Sequence, residues 1–153
     1  MNNPSVEKLW NEFIKSHDIV GGHYTAWGFG RTPEMADELL QEVLHGEKRG
    51  TSGLKRAYEL EHEELPKAGD YSVLLDGKGE AAAIIEAKLI DILPYKNITD
   101  LHGYLEGEGE RNLTYWRSVH HPFFEEELNE AGEEFTEDHL VVYEYFEVVY
   151  RKK

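Results

Sequence analysis

The stretch DYSVLLDGKGEAAAIIEAKLIDILPY, residues 70–95, constrains the fold more than any other part of this chain. An apolar run, the step Asp76-Gly77-Lys78-Gly79 and a longer apolar run predict a strand, a turn and a long second strand. A third run, HLVVYEYFEVVYRK at residues 139–152, is β-branched and aromatic. That composition suits a central strand or one pairing into a barrel. A chain with these runs must build a sheet, and much of what surrounds them is helical in pattern. Strands and helices mix without strict β-α-β alternation, so the expected class is α+β.

The helical patterns are specific. Val6, Leu9, Trp10, Phe13 and Ile14 share one face of VEKLWNEFIKSH, with Asn3 and Pro4 at its start. TPEMADELLQEVLHG, residues 32–46, is the clearest helix. Thr32 caps it, Pro33 opens it, and Glu34, Asp37 and Glu38 suit its early turns. Met35, Leu39, Leu40, Val43 and Leu44 form its expected buried stripe, and Gly46 its left-handed end. Lys48 to Thr51 then fall in an expected loop made pliable by Gly50 and Gly53. Thr99 is expected to cap a short helix that breaks at Gly107 and Gly109. Residues 111–132 predict a helix, a break at Pro122 and a second helical turn. DIVGGHYTAWGFGR predicts a strand or extended loop, and LKRAYELEHEELP a helix or an irregular crossing.

Composition narrows the function. With 153 residues and 40% hydrophobic content, the chain is expected to form one domain over 1–153, with 1–20 as an N-terminal helical extension. It has no cysteine, which excludes disulfides, thiolate catalysis and thiolate metal sites. No apolar run is long enough to cross a membrane. The start, MNNPSVEKLW, lacks the basic and apolar regions of a leader, so a cytoplasmic location is expected. The net charge is −15, and no Lys or Arg occurs from Ser118 to Tyr150. Such a surface repels polyanions, so any nucleic acid must dock locally.

A basic island could receive it, as could the surroundings of Arg31, Arg111 and Arg117. HGEKRGTSGLKR, residues 45–56, carries Lys48, Arg49, Lys55 and Arg56, with no acid between Lys48 and Arg56. The island is either a phosphate-docking surface or a loop balancing Glu59, Glu61, Glu63 and Glu64. Trp27, between Tyr24 and Phe29, either stacks a base or fills a core. Trp116 and His120, four apart, share a helical face with Arg117 nearby, and line a pocket or belong to the core. The eight His show no H-E-x-x-H spacing, and GFGRTPE has neither the P-loop nor the dinucleotide pattern. No metal and no cofactor are expected.

Several motifs occur together: AWGFG, MADELLQEVLHGEKRGTSGL, LEGEGERNLTYWRSVHHPFF, the strand–turn–strand segment and the final strand. In this order they resemble the ASCH-domain family, in its longer bacterial branch, over residues 24–150. The hallmark Gly-x-Lys-x-x-Thr turn stands here as Gly46, Lys48 and Thr51. ASCH domains are similar to PUA domains, so the resemblance implies a small β-barrel with flanking helices. It also implies recognition of RNA in translation-related events. One short-chain type is an amidohydrolase that removes acetyl from acetylated cytidine, and some members cut RNA.

In the amidohydrolase type a Lys and a Thr of the turn act with a Glu of a later helical segment. Carried over residue by residue, these are Lys48, Thr51 and Glu106, with Glu108 two residues away. A Thr hydroxyl needs activation, which Lys48 would supply as base or oxyanion partner and Glu106 by moving a proton. A Lys just past a helix C-terminus is favoured as ammonium, which suits the oxyanion role. Trp27, Arg49, Lys55, Arg56, Trp116, Arg117 and His120 are the candidates for holding RNA or a nucleoside. The acidic surface favours a small nucleoside over a long strand.

Overall fold

The computed structural model describes residues 3–19 and 22–153. Residues 1, 2, 20 and 21, from the expected extension and the glycine-rich segment after it, lie outside the described residues. The chain runs α1 (Pro4–Ser16), β1 (Tyr24–Trp27), α2 (Pro33–Leu44), β2 (Gly50–Leu54) and α3 (Lys55–Leu60). It continues through β3 (Tyr71–Leu75), β4 (Ala81–Pro94), a 3₁₀ turn (Tyr95–Asn97), α4 (Asp100–Glu106), α5 (Leu113–Glu130) and β5 (Leu140–Arg151).

Local chemistry explains many of the boundaries. Asn3 caps α1 by accepting from the Ser5 N–H, and Thr32 caps α2 by accepting from Met35 N–H at 3.1 Å. Gly46 ends α2 with φ +87°. Asp76 shapes the turn between β3 and β4, its Oδ1 accepting from the Lys78 and Glu80 N–H groups.

The five strands form one mixed sheet in the order β1-β3-β4-β5-β2, with only β1 and β3 parallel. The first half of β4 pairs with β3 on one side and the end of β5 on the other. A register shift between Ala87 and Leu89 bends it. Its second half pairs with the start of β5, which carries β2 on its far side. β1 and β2 are the two edges, so the sheet is not closed. The α+β class expected from the sequence stands, but the sheet does not close into the barrel that the resemblance implied, and a cleft lies between its two edges.

Three apolar clusters hold the layers. α1 lays Val6, Leu9, Trp10 and Phe13 against Val73 and Ile84. Leu40 and Val43 of α2 pack with Phe29, Leu74, Ile85 and Phe146. Trp116, Phe124 and Leu128 of α5 pack on Leu54, Tyr95, Val141 and Tyr143. Each such large side chain contributes about 1.5–3 kcal/mol on burial. Among the described residues no helix is long and apolar enough to cross a membrane.

Three local expectations need correction. Thr51 lies in β2, not in a pliable loop, and Gly50 serves close packing: a Cβ there would stand 2.3 Å from the Tyr143 hydroxyl. Met35 is 39% exposed and Ala36 takes its place in the buried face of α2. α5 runs unbroken through Pro122. Proline removes one N–H donor, but Trp116, Phe124 and Leu128 bury a common face on both sides of it and hold the helix together.

Candidate functional site

The turn after α2 is tied down at both ends. The Glu47 and Lys48 N–H groups both donate to Glu42 O, and Arg49 N–H donates to Leu105 O at 2.7 Å. The last bond joins the turn to the end of α4 and puts Lys48 beside Glu106. Lys48 is only 2% exposed. Its Nζ donates to Gly50 O at 3.0 Å, Glu106 O at 3.2 Å, Glu106 Oε1 at 3.4 Å and Glu108 Oε2 at 3.2 Å. The Phe29 ring lies 5.3 Å from Nζ. Every polar neighbour is an acceptor, so the site is built for Lys48 as a donor.

Glu106 is the second buried charge. Its Oε2 accepts from Ser52 Oγ at 2.6 Å and from Trp116 Nε1, while Oε1 faces Lys48 and, at 3.5 Å, His120 Nε2. His120 Nδ1 sits 2.9 Å from Trp116 O, which only accepts, so both ring nitrogens face acceptors and the imidazolium fits. Its ring stacks on Trp116, with centroids 4.2 Å apart. Burial alone would raise the Glu106 carboxyl. The charges of His120 and Lys48, with hydrogen bonds from His120 and Ser52, reverse that and hold it at about 2. Burial pulls His120 down, but the Glu106 charge, the hydrogen bonds to Glu106 and Trp116 O and the Glu108 charge together more than offset it, so His120 is raised. Glu108 is more open, and Glu42 close by is raised by burial and by the Glu108 charge.

Two cavities meet at β2. One of about 360 Å³ has Lys48, Glu106, Glu108 and His120 in its lining. Arg31, also in that lining, stacks on Phe123 at 4.4 Å and donates to Glu126 at 2.8 Å. The other, about 680 Å³, lies between the edges β1 and β2 and is lined by Trp27, Tyr58, Asp70 and Glu144 among others. Thr51 and Ser52 line both. Among the described residues no three His, Cys, Asp or Glu are grouped to hold a metal ion.

A family model described as the ASCH domain matches residues 25–150. The chain belongs to the ASCH-domain family. Protein EF3133 from Enterococcus faecalis V583 is similar to this ASCH domain at 35% identity and TM-score 0.89, over 97% of this chain and 90% of that one. An ASCH domain from Lactobacillus crispatus JV V101 is similar at 28% identity and TM-score 0.92, over 97% and 96%. Hypothetical protein PH0355, at 18% identity and TM-score 0.53 over 83% of this chain and 100% of that one, shares the fold alone. No curated protein matches.

The ASCH fold brings some of the anticipated residues together and separates others. Lys48, Glu106, Trp116 and His120 form one hydrogen-bonded centre. Thr51 is beside it, but strand alternation turns its side chain to the face opposite Ser52. It is Ser52 that bonds Glu106, and the Thr51 hydroxyl makes no hydrogen bond among the described residues. Trp27 is half-buried, edge-on to Phe29 at 4.8 Å, and lines the larger cleft. Lys55 bonds Glu59, and Arg56 bonds Glu59 and Glu133. Arg49 and Arg117 are exposed, with no ion pair among the described residues.

The sequence reading missed Ser52 and Glu144. Reading GTSGL as a strand would have put Ser52 on the Lys48 side. A lone acid within VVYEYF was the available signal for Glu144.

Proposed function

We propose that this ASCH domain recognises a small modified nucleoside and hydrolyses an acyl amide on it, an acylated cytidine being the first substrate to try. The observation that carries this reading is the buried Lys48 ammonium, held by Glu106 and Glu108 in the lining of a pocket that also includes Thr51. Thr51 Oγ, at the rim shared by the two cavities, adds to the amide carbonyl carbon and passes its proton by way of one water to the accessible carboxylate, Glu108. The Lys48 ammonium, its N–H groups taken by Gly50, Glu106 and Glu108, favours the oxyanion through its charge. The proton passes to the leaving nitrogen as the C–N bond breaks, and water hydrolyses the ester. Glu106, with its acceptors already taken and its carboxyl held near 2, holds Lys48 and His120 in place and is a poor base.

A small ligand is preferred to a long RNA because Lys55 and Arg56 are committed to acids and Lys48 is buried. Exposed Arg49 favours a second reading, local RNA docking without chemistry.

Purified protein incubated with N-acetylated cytidine should release cytidine, followed by chromatography. Thr51→Ala, which leaves the Lys48–Glu106 pair intact, should lower the rate at least 100-fold. Equal rates for the two proteins, or no product above buffer, would rule the activity out.

A further inference from the structure

The larger cavity makes demands of its own. Among the described residues its lining includes four carboxyl groups, from Glu63, Glu64, Asp70 and Glu144, and no Lys or Arg. A phosphate is a poor occupant of such a field, whereas a planar group rich in hydrogen-bond donors is a good one. Trp27 lines it from β1 and Tyr58 from α3. Glu144 stands apart from the other three acids. It lies within β5, half-buried between Tyr143 and Tyr145, with no hydrogen bond or ion pair among the described residues. Its register partner on β2 is Thr51. Directly opposed antiparallel residues share a face with Cβ atoms about 4.5–5.5 Å apart. A ligand held by Glu144 therefore stands beside the Thr51 hydroxyl.

We propose that this cleft is a base-reading subsite in which Glu144, as a neutral carboxylic acid, pairs with the amidine edge of a planar base such as cytosine or adenine. This rests on the nucleoside reading above and names the part of the ligand that is recognised. The acid's O–H donates to the ring nitrogen while its carbonyl oxygen accepts from the exocyclic amine. One donor and one acceptor side by side match that edge; guanine offers such a pair only at O6 and N1–H, which leaves its exocyclic amine without a partner on Glu144. The field of Glu63, Glu64 and Asp70 favours an amine-bearing edge over the carbonyl-rich edge of uracil. An acyl group on the exocyclic nitrogen would then lie near Thr51.

Burial, then the charge of Asp70, raises the Glu144 carboxyl to about 7, so its neutral form is well populated near neutral pH. The acid form is the one that pairs, so binding is strong below that value and weakens above it. Asp70, Glu63 and Glu64 face the same cleft, as do Tyr58, Tyr71 and His23. All of these remain in a Glu144→Gln variant.

Calorimetric titration with unacylated cytidine, adenosine, uridine and guanosine between pH 6 and 8.5 tests the assignment. In the wild type, cytidine or adenosine should bind tightest at pH 6 and lose about tenfold per pH unit above 7. Glu144→Gln keeps one donor and one acceptor, so its affinity should stay flat across the range. Glu144→Leu should lose at least tenfold at pH 6.

Guanosine binding best at pH 6, unchanged affinity in Glu144→Leu, or a pH dependence that survives in Glu144→Gln would each overturn it. If acetylcytidine is still hydrolysed while Glu144→Leu binds bases normally, only the subsite falls. If the wild type neither binds a nucleoside nor hydrolyses the amide, both readings fall.

Discussion

Lys48 is the residue around which the centre is organised, and its burial has an energetic consequence. An ammonium removed from water costs several kcal/mol unless acceptors replace its hydration. Here two carbonyls and two carboxylates do so. Removing one partner leaves the others buried and uncompensated. Lys48→Ala should destabilise the fold by roughly 3–5 kcal/mol, read from urea unfolding. A loss under 1 kcal/mol would contradict the buried pairing.

The Glu106 carboxyl is depressed from its ordinary 4.5 to about 2, so its contribution is fully present above pH 4.5. It is lost as pH falls from there through about 2. Glu106→Gln should therefore flatten the acid limb of the stability curve. The same change should lower the His120 titration midpoint in an NMR titration, because the Glu106 charge is the largest of the effects that raise it. A midpoint that stays in place would sink that assignment. The pairing of Lys48 with Glu106 was anticipated only through the family motif, since 58 residues separate them and no spacing rule spans that distance.

Among the elements, β2 most altered the expected arrangement. Five residues with two glycines look like a loop, yet Gly50 through Leu54 pair with β5 over their whole length. Gly50 is required because Tyr143 crosses beneath it and bonds His102 O at 2.6 Å. Gly50→Ala should cost about 1–3 kcal/mol by overpacking and weaken that bond, measurable as a drop in unfolding midpoint. An unchanged midpoint would show that β2 sits more loosely than described. The helix starts at Asn3 and Thr32 and the turn at Asp76 were legible, because caps and turns depend on residues within a few positions. The continuity of α5 through Pro122 was not. It depends on packing against β5 and the 3₁₀ turn, which outweighs one missing hydrogen bond.

On the scale of the whole molecule, charge and shape act together. The net charge of −15 opposes a long polyanion, and the basic island offers little relief once Lys55 and Arg56 are paired. A 20-nucleotide RNA should bind no more tightly than a single nucleoside at 150 mM salt, by fluorescence anisotropy. An oligonucleotide binding more than tenfold tighter, with steep salt dependence, would favour the docking reading instead.

By itself the amino-acid sequence determined the class of fold, the long paired strands, the helix caps and the membership signalled by Gly46, Lys48 and Thr51. These are matters of local periodicity and short motifs, which neighbouring residues decide. Only the tertiary structure decided that Ser52 and not Thr51 meets Glu106, that three of the four island cations are buried or paired, and that Thr51 looks across at Glu144. Those outcomes depend on strand register and on which face turns inward. A shift of one residue in β2 would exchange every side chain between the two faces of the strand.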